Sequence, residues 1–169
     1  MKYIKYLMLF FILIACSLIG KYLSKKYVER LKELEEMKNA LNIFESKIKY
    51  TYDPIPEIFD EISKNNNKNT SKIFKLAKEK MKEKTANIAW EEALEEAQTN
   101  LKKEDKYVLK SLSKLLGRTD VEGQVSSIEI TQKFLEEQIK EALEEKRKNE
   151  KLYSKLGTTI GLAIIIILC

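Results

Sequence analysis

Histidine is absent from the 169 residues, and there are only two cysteines, Cys16 and Cys169. Without histidine, general acid–base catalysis would rest on carboxylates or lysines alone. With the cysteines in the two apolar ends, a disulfide framework is excluded, as is a zinc site within the polar region between them. Glycine-rich phosphate loops, nucleophile–His pairings and metal-spaced clusters are all missing. The sequence therefore predicts no catalytic residue, no cofactor, no metal and no small-molecule substrate. Glycine (5) and proline (2) are also scarce, and this weighs against a β-sandwich or a disordered chain.

What remains is rich in Lys, Glu, Leu and Ile, the composition of long helices. The net charge is +5, but it is unevenly spread. Residues 21–32 carry Lys21, Lys25, Lys26, Arg30 and Lys32 against Glu29. Residues 146–155 carry Lys146, Arg147, Lys148, Lys151 and Lys155 against Glu150. The stretch 33–145 has 19 basic and 24 acidic residues. Nucleic-acid binding is not expected from an acidic body whose excess lysines lie beside apolar ends.

Those ends, residues 1–20 and 156–169, read as transmembrane segments around a helical domain over 21–155. Basic residues concentrate on the domain side of both, so the domain is expected to face the cytoplasm. The ten lysines and arginines named above form a candidate membrane-interface collar, each contributing about 1 kcal/mol with anionic lipid before screening. The alternative starts from Leu13-Ile14-Ala15-Cys16 behind Lys2 and Lys5. This is the pattern of an extracytoplasmic lipoprotein lipidated at Cys16.

Between the ends the spacing predicts six helices and no strand. Tyr27, Leu31, Leu34, Met37, Leu41, Phe44 and Ile48 recur at three- and four-residue steps. Asp53-Pro54-Ile55-Pro56 breaks that helix and opens a short second one with Ile55, Ile58, Phe59 and Ile62. A polar loop over 65–69 precedes a third helix (Ile73, Phe74, Ala77, Met81), and a fourth carries Ile88, Trp90, Ala93 and Leu94. A fifth, about 101–116, stops at Gly117. Asp120 caps the sixth, with Val121, Val125, Ile128, Leu135 and Ile139 in its stripe and Gln132 interrupting.

The expected fold is all-α: a six-helix antiparallel bundle flanked by N- and C-terminal transmembrane segments. The first and last helices are about 45 Å long at 1.5 Å per residue, so the turns Tyr50–Pro56 and Gly117–Gln124 should meet at a membrane-distal tip. Pro54, Pro56, Gly117, Asp120 and Gln124 are the candidate partner-binding residues there. Glu91, Glu92, Glu95 and Glu96 read as a solvated acidic face, and Trp90 as a packing anchor.

Four segments in register carry a resemblance. They are Tyr50-Thr51-Tyr52-Asp53-Pro54-Ile55-Pro56-Glu57; Ala89-Trp90-Glu91-Glu92-Ala93-Leu94; Leu116-Gly117-Arg118-Thr119-Asp120 with Gln124; and Lys148-Asn149-Glu150-Lys151-Leu152-Tyr153-Ser154-Lys155-Leu156-Gly157. Through them the chain resembles the AB family of the stage III sporulation operon of endospore-forming bacteria, over essentially its whole length. It departs at Asp53-Pro54-Ile55, where the family usually has Thr-Pro-Leu, and at Leu112-Ser113-Lys114, which replaces a Phe-Gly character. That family is similar to the cytoplasmic domains of platform proteins in type II secretion and type IV pilus machines. The resemblance implies a mother-cell membrane component (outer forespore membrane) of the channel complex linking mother cell and forespore. It also implies binding to the operon's secretion-type ATPase (the AA protein) and to other channel membrane proteins.

Overall fold

The structure, a computed structural model, describes residues 2–65 and 68–168. Among them are six α-helices and no strand: α1 (Lys2–Ser46), α2 (Ile55–Asn65), α3 (Lys68–Lys80), α4 (Ala86–Glu96), α5 (Lys103–Ser111) and α6 (Val121–Leu168). A π-turn, Lys47–Thr51, ends α1, and a 3-10 turn, Leu112–Lys114, ends α5. The expected loop over 65–69 is mostly taken up by α2 and α3; residues 66 and 67 lie outside the described residues.

The chain divides into two compact units, Met1–Glu29 with Ala142–Cys169, and Arg30–Glu141. In the first unit the rings of Tyr27 and Tyr153 stack, with centroids 6.1 Å apart. Leu7, Met8, Phe11, Leu18, Ile160 and Ile166 are exposed there, while Val28, Leu143, Ile164 and Ile165 are half-buried and Ala142 is buried.

The flanking transmembrane segments expected from composition are not supported by the structure. Among the described residues no helix is long and apolar enough to cross a membrane. The physical reason is run length. Lys5 and Lys21 bound an uninterrupted apolar stretch of 15 residues, about 22 Å of helix. From Leu156 to Leu168 there are 13 residues, about 20 Å. Both fall short of a hydrocarbon core of about 30 Å. Much of the side-chain detail of these ends, Lys2 and Lys5 included, lies outside the described residues.

The second unit is a helical bundle. The α1 stripe is buried as its spacing requires: Leu31, Leu34, Met37, Leu41, Phe44 and Ile48 are at most 6% exposed. It meets Ile58, Phe59 and Ile62 of α2, Phe74 and Ala77 of α3, and Trp90, Ala93 and Leu94 of α4, all buried. At the centre Phe59 lies edge-on to Phe44 (5.2 Å), Phe74 (4.9 Å) and Trp90 (5.6 Å). Trp90 donates its indole N–H to the Leu109 carbonyl at 2.8 Å, so this polar handle within the core is satisfied by α5.

Polar contacts set the direction of α6 against α1 within this unit. Arg30 reaches Gln138, Lys38 reaches Glu136, and Asn42 accepts from Gln132. Partner numbers fall along α6 as they rise along α1, so the two helices run antiparallel. Gln132, the interruption in the α6 stripe, is thus an interhelical contact, also donating to Glu45 at 3.2 Å.

Candidate binding surface

The turn after α1 is tightly held. Tyr52 adopts a left-handed backbone (φ 57°) and donates its N–H to the Lys47 carbonyl at 3.0 Å. Such a backbone costs a non-glycine residue about 1–2 kcal/mol, so the surroundings must fix it. They do: the Thr51 hydroxyl bonds the Lys47 carbonyl, and Lys47 bridges Glu61 at 2.8 Å and Asp53 at 3.6 Å. The hydrogen bond to Glu61, chiefly, holds the Lys47 ammonium above its ordinary pKa. The Pro54 carbonyl then accepts from Glu57 and Ile58 and opens α2.

Of the sequence-predicted residues here, Pro54 and Pro56 are exposed. Gly117 lies beside the start of α2. Its φ is +69°, and a Cβ placed on it would stand 3.2 Å from Ala86 Cβ and 3.6 Å from Ile55 Cδ1. Both conformation and space call for glycine. Asp120 caps α6 through Oδ1, which accepts the Gly123 N–H at 3.0 Å. A side chain at 123 would collide with Thr119 Oγ1 and press on that same oxygen. Gln124 is half-buried. Its amide donates to the Thr119 carbonyl at 3.1 Å, while Oε1 is buried with no hydrogen-bond partner. Gly117 is therefore brought against the start of α2, whereas Asp120 and Gln124 serve the start of α6. Helical spacing does not single out Tyr50 and Tyr52, both 70% exposed. Their place beside a Pro-rich turn is the signal in the sequence that marks them.

The predicted basic collar separates into two kinds of residue. Lys21, Lys25, Lys26, Lys32, Arg147, Lys148, Lys151 and Lys155 are exposed, and Lys146 is half-buried. Arg30 is not available to lipid. It is 2% exposed and grips Asp105, itself 0% exposed, with Nε–Oδ2 and Nη2–Oδ1 both at 2.8 Å. Asp105 also accepts the Lys102 N–H at 2.8 Å, and so closes the N-terminus of α5. Glu33, 4% exposed, accepts from Asn69 and from the Asn100 backbone and side chain.

The four α4 glutamates do more than face water. Glu91 accepts from Ser113, Glu92 from Lys84 and Lys80, and Glu95 from Lys110, while Glu96 pairs with Lys80. These contacts tie α4 to its neighbours and hold the Glu92 and Glu95 carboxyls below their ordinary pKa, chiefly through Lys84 and Lys110 respectively. Among the described residues no group of His, Cys, Asp or Glu could hold a metal.

The sequence profile described as "Stage III sporulation protein AB" matches residues 5–169. The chain is 29% identical over 162 residues to "Stage III sporulation protein AB" of Bacillus subtilis (strain 168), covering 94% of this chain and 95% of that one. A solved structure of "Stage III sporulation protein AB (SpoIIIAB)" superposes with a TM-score of 0.66 at 25% identity, over 70% of this chain and 96% of that one. The chain belongs to the stage III sporulation protein AB family.

Proposed function

We propose that this chain is an assembly platform of the sporulation channel complex between mother cell and forespore, working by protein–protein binding and not by covalent chemistry. The observation that carries this reading is the rigid turn with two exposed tyrosines, Tyr50 and Tyr52, next to Pro54 and Pro56. Aromatic side chains on a fixed backbone lose little entropy on docking, and tyrosine is enriched where interfaces concentrate their energy. In this reading the partner is the secretion-type ATPase of the same operon, with other channel membrane proteins beside it.

The proposal includes a location at the mother-cell membrane (outer forespore membrane), with the second unit in the mother-cell cytoplasm. Two features of the first unit support lipid contact. It exposes Lys21, Lys25, Lys26, Arg147, Lys148 and Lys151, and it exposes apolar side chains such as Phe11 and Ile166. Anionic headgroups suit the former and acyl chains the latter.

Co-purification of the ATPase with the full chain tests the binding surface. Tyr50→Ala/Tyr52→Ala is expected to lose the ATPase, whereas Asp120→Asn, which keeps a capping oxygen, leaves the fold intact and isolates the charge. A double tyrosine variant that stays folded and retains the ATPase as wild type does would sink the proposal. Equal binding to neutral and anionic vesicles would remove its lipid part.

A further inference from the structure

A second charged surface lies on α3 and the turn after it. Residues 64–84 hold eight lysines against Glu79 and Glu83, while the rest of 33–145 has 11 basic and 22 acidic residues. Four of these lysines have partners: Asp60 takes Lys64 at 2.8 Å and Lys78 at 2.6 Å, and Lys80 and Lys84 go to α4. The side chain of Lys68 lies outside the described residues. Lys72, Lys75 and Lys82 are exposed, and none makes a hydrogen bond or ion pair among the described residues. Lys75 and Lys82 line one shallow cavity with Lys64 and Lys78.

The complement is on α6. Ile130 and Phe134, one turn apart, are 50% and 55% exposed. Glu122 and Glu129 lie on the flank of that face, exposed and uncommitted to any described cation, with exposed Lys133 one turn after Glu129. An apolar centre with charge at its rim is the anatomy of a protein interface. The methylene stems of lysines can cover such a centre while their ammonium groups meet the rim.

We propose that the chain self-associates, Lys72, Lys75 and Lys82 of one copy docking on the Glu122–Glu129 edge of α6 in a second copy, over Ile130 and Phe134. These lysines and glutamates are left unpaired among the described residues and carry opposite charge, so a second copy satisfies each. Charge across such a contact fixes orientation and partner choice more than it adds affinity. The association is therefore weak and salt-sensitive, because screening shortens from about 10 Å at 0.1 M salt to about 3 Å at 1 M.

Sedimentation of the full chain in a mild nonionic detergent, at low and high salt, tests this. Wild type is expected to associate at low salt and to dissociate at high salt. The reversals Lys72→Glu/Lys75→Glu/Lys82→Glu and Glu122→Lys/Glu129→Lys should each be monomeric at low salt, and an equimolar mixture of the two should associate again. The neutral Lys72→Gln/Lys75→Gln/Lys82→Gln variant should also be monomeric, and emission from buried Trp90 reports that each variant is folded. A wild type that is monomeric at every salt overturns the proposal. So does association that survives the reversals, or a mixture that fails to recover it.

Discussion

Removing Arg30 should destabilise the second unit more than removing any other cation in it. Its guanidinium makes two 2.8 Å bonds to a carboxylate that is 0% exposed. In Arg30→Ala, Asp105 keeps the Lys102 N–H as a donor but loses its counter-charge. Stranding a buried charge costs about 3–5 kcal/mol. At about 3–5 °C per kcal/mol for a unit of this size, the thermal midpoint should fall by about 9–25 °C. The assay is built into the chain: Trp90, its one tryptophan, sits fully buried in this unit, so its emission follows unfolding of that unit. Arg30→Met/Asp105→Leu should recover most of the loss, since replacing both partners by apolar groups removes the stranded charge. By contrast, Lys38→Ala breaks only the half-exposed pair with Glu136 and should cost no more than about 1 kcal/mol. A loss below about 1 kcal/mol for Arg30→Ala, with helicity intact, would refute the reasoning.

Three further outcomes are expected. Lys64 first, then Lys78, holds the Asp60 carboxyl down from 3.8 to about 2. A lowered folded-state pKa contributes stability above the unfolded value and loses it as pH falls through the folded one. Acid titration of Asp60→Asn should accordingly be flatter than wild type between pH 3.8 and about 2. Gly117→Ala, at φ +69° and 3.2 Å from Ala86 Cβ, should cost about 1–2 kcal/mol in urea melts. Phe59→Ala, which removes the ring shared by three aromatic contacts, should cost about 3–5 kcal/mol by the same assay.

The apolar part of the second unit was legible because helical spacing alone decides which side chains face inward. Leu34 to Ile48, Phe59, Phe74 and Trp90 follow from that spacing, and Asp120 from the cap rule. Residue type misleads where position decides. Arg30 resembles its basic neighbours in type, yet it precedes Leu34, Met37 and Leu41 at helical steps and so shares their buried face. Glu33 stands in the same relation to Met37 and Ala40. On α6, Glu136–Lys140 is a reasonable pair by spacing, but the structure gives Glu136 to Lys38 and Lys140 to Glu137. Local spacing cannot see a cation arriving from another helix. At the ends composition misleads differently: Lys5 interrupts the first apolar segment, and the second is short.

The polar residues on the stripes explain how one arrangement of helices is selected. An all-apolar seam between α1 and α6 could slip by a turn at small cost, since leucine packs on leucine in either register. Gln132 with Asn42 and Glu45, and Arg30 with Gln138, cross that seam and do not tolerate the slip. Displacement by a turn would leave these polar groups without their partners along the seam, a penalty larger than the bonds' net contribution in place. Register also sets where α1 ends and α6 begins. Those two points carry the Tyr50–Tyr52 turn and the Asp120 cap, so the polar contacts along the α1–α6 seam govern the placement of the surface proposed to bind partners at its turns.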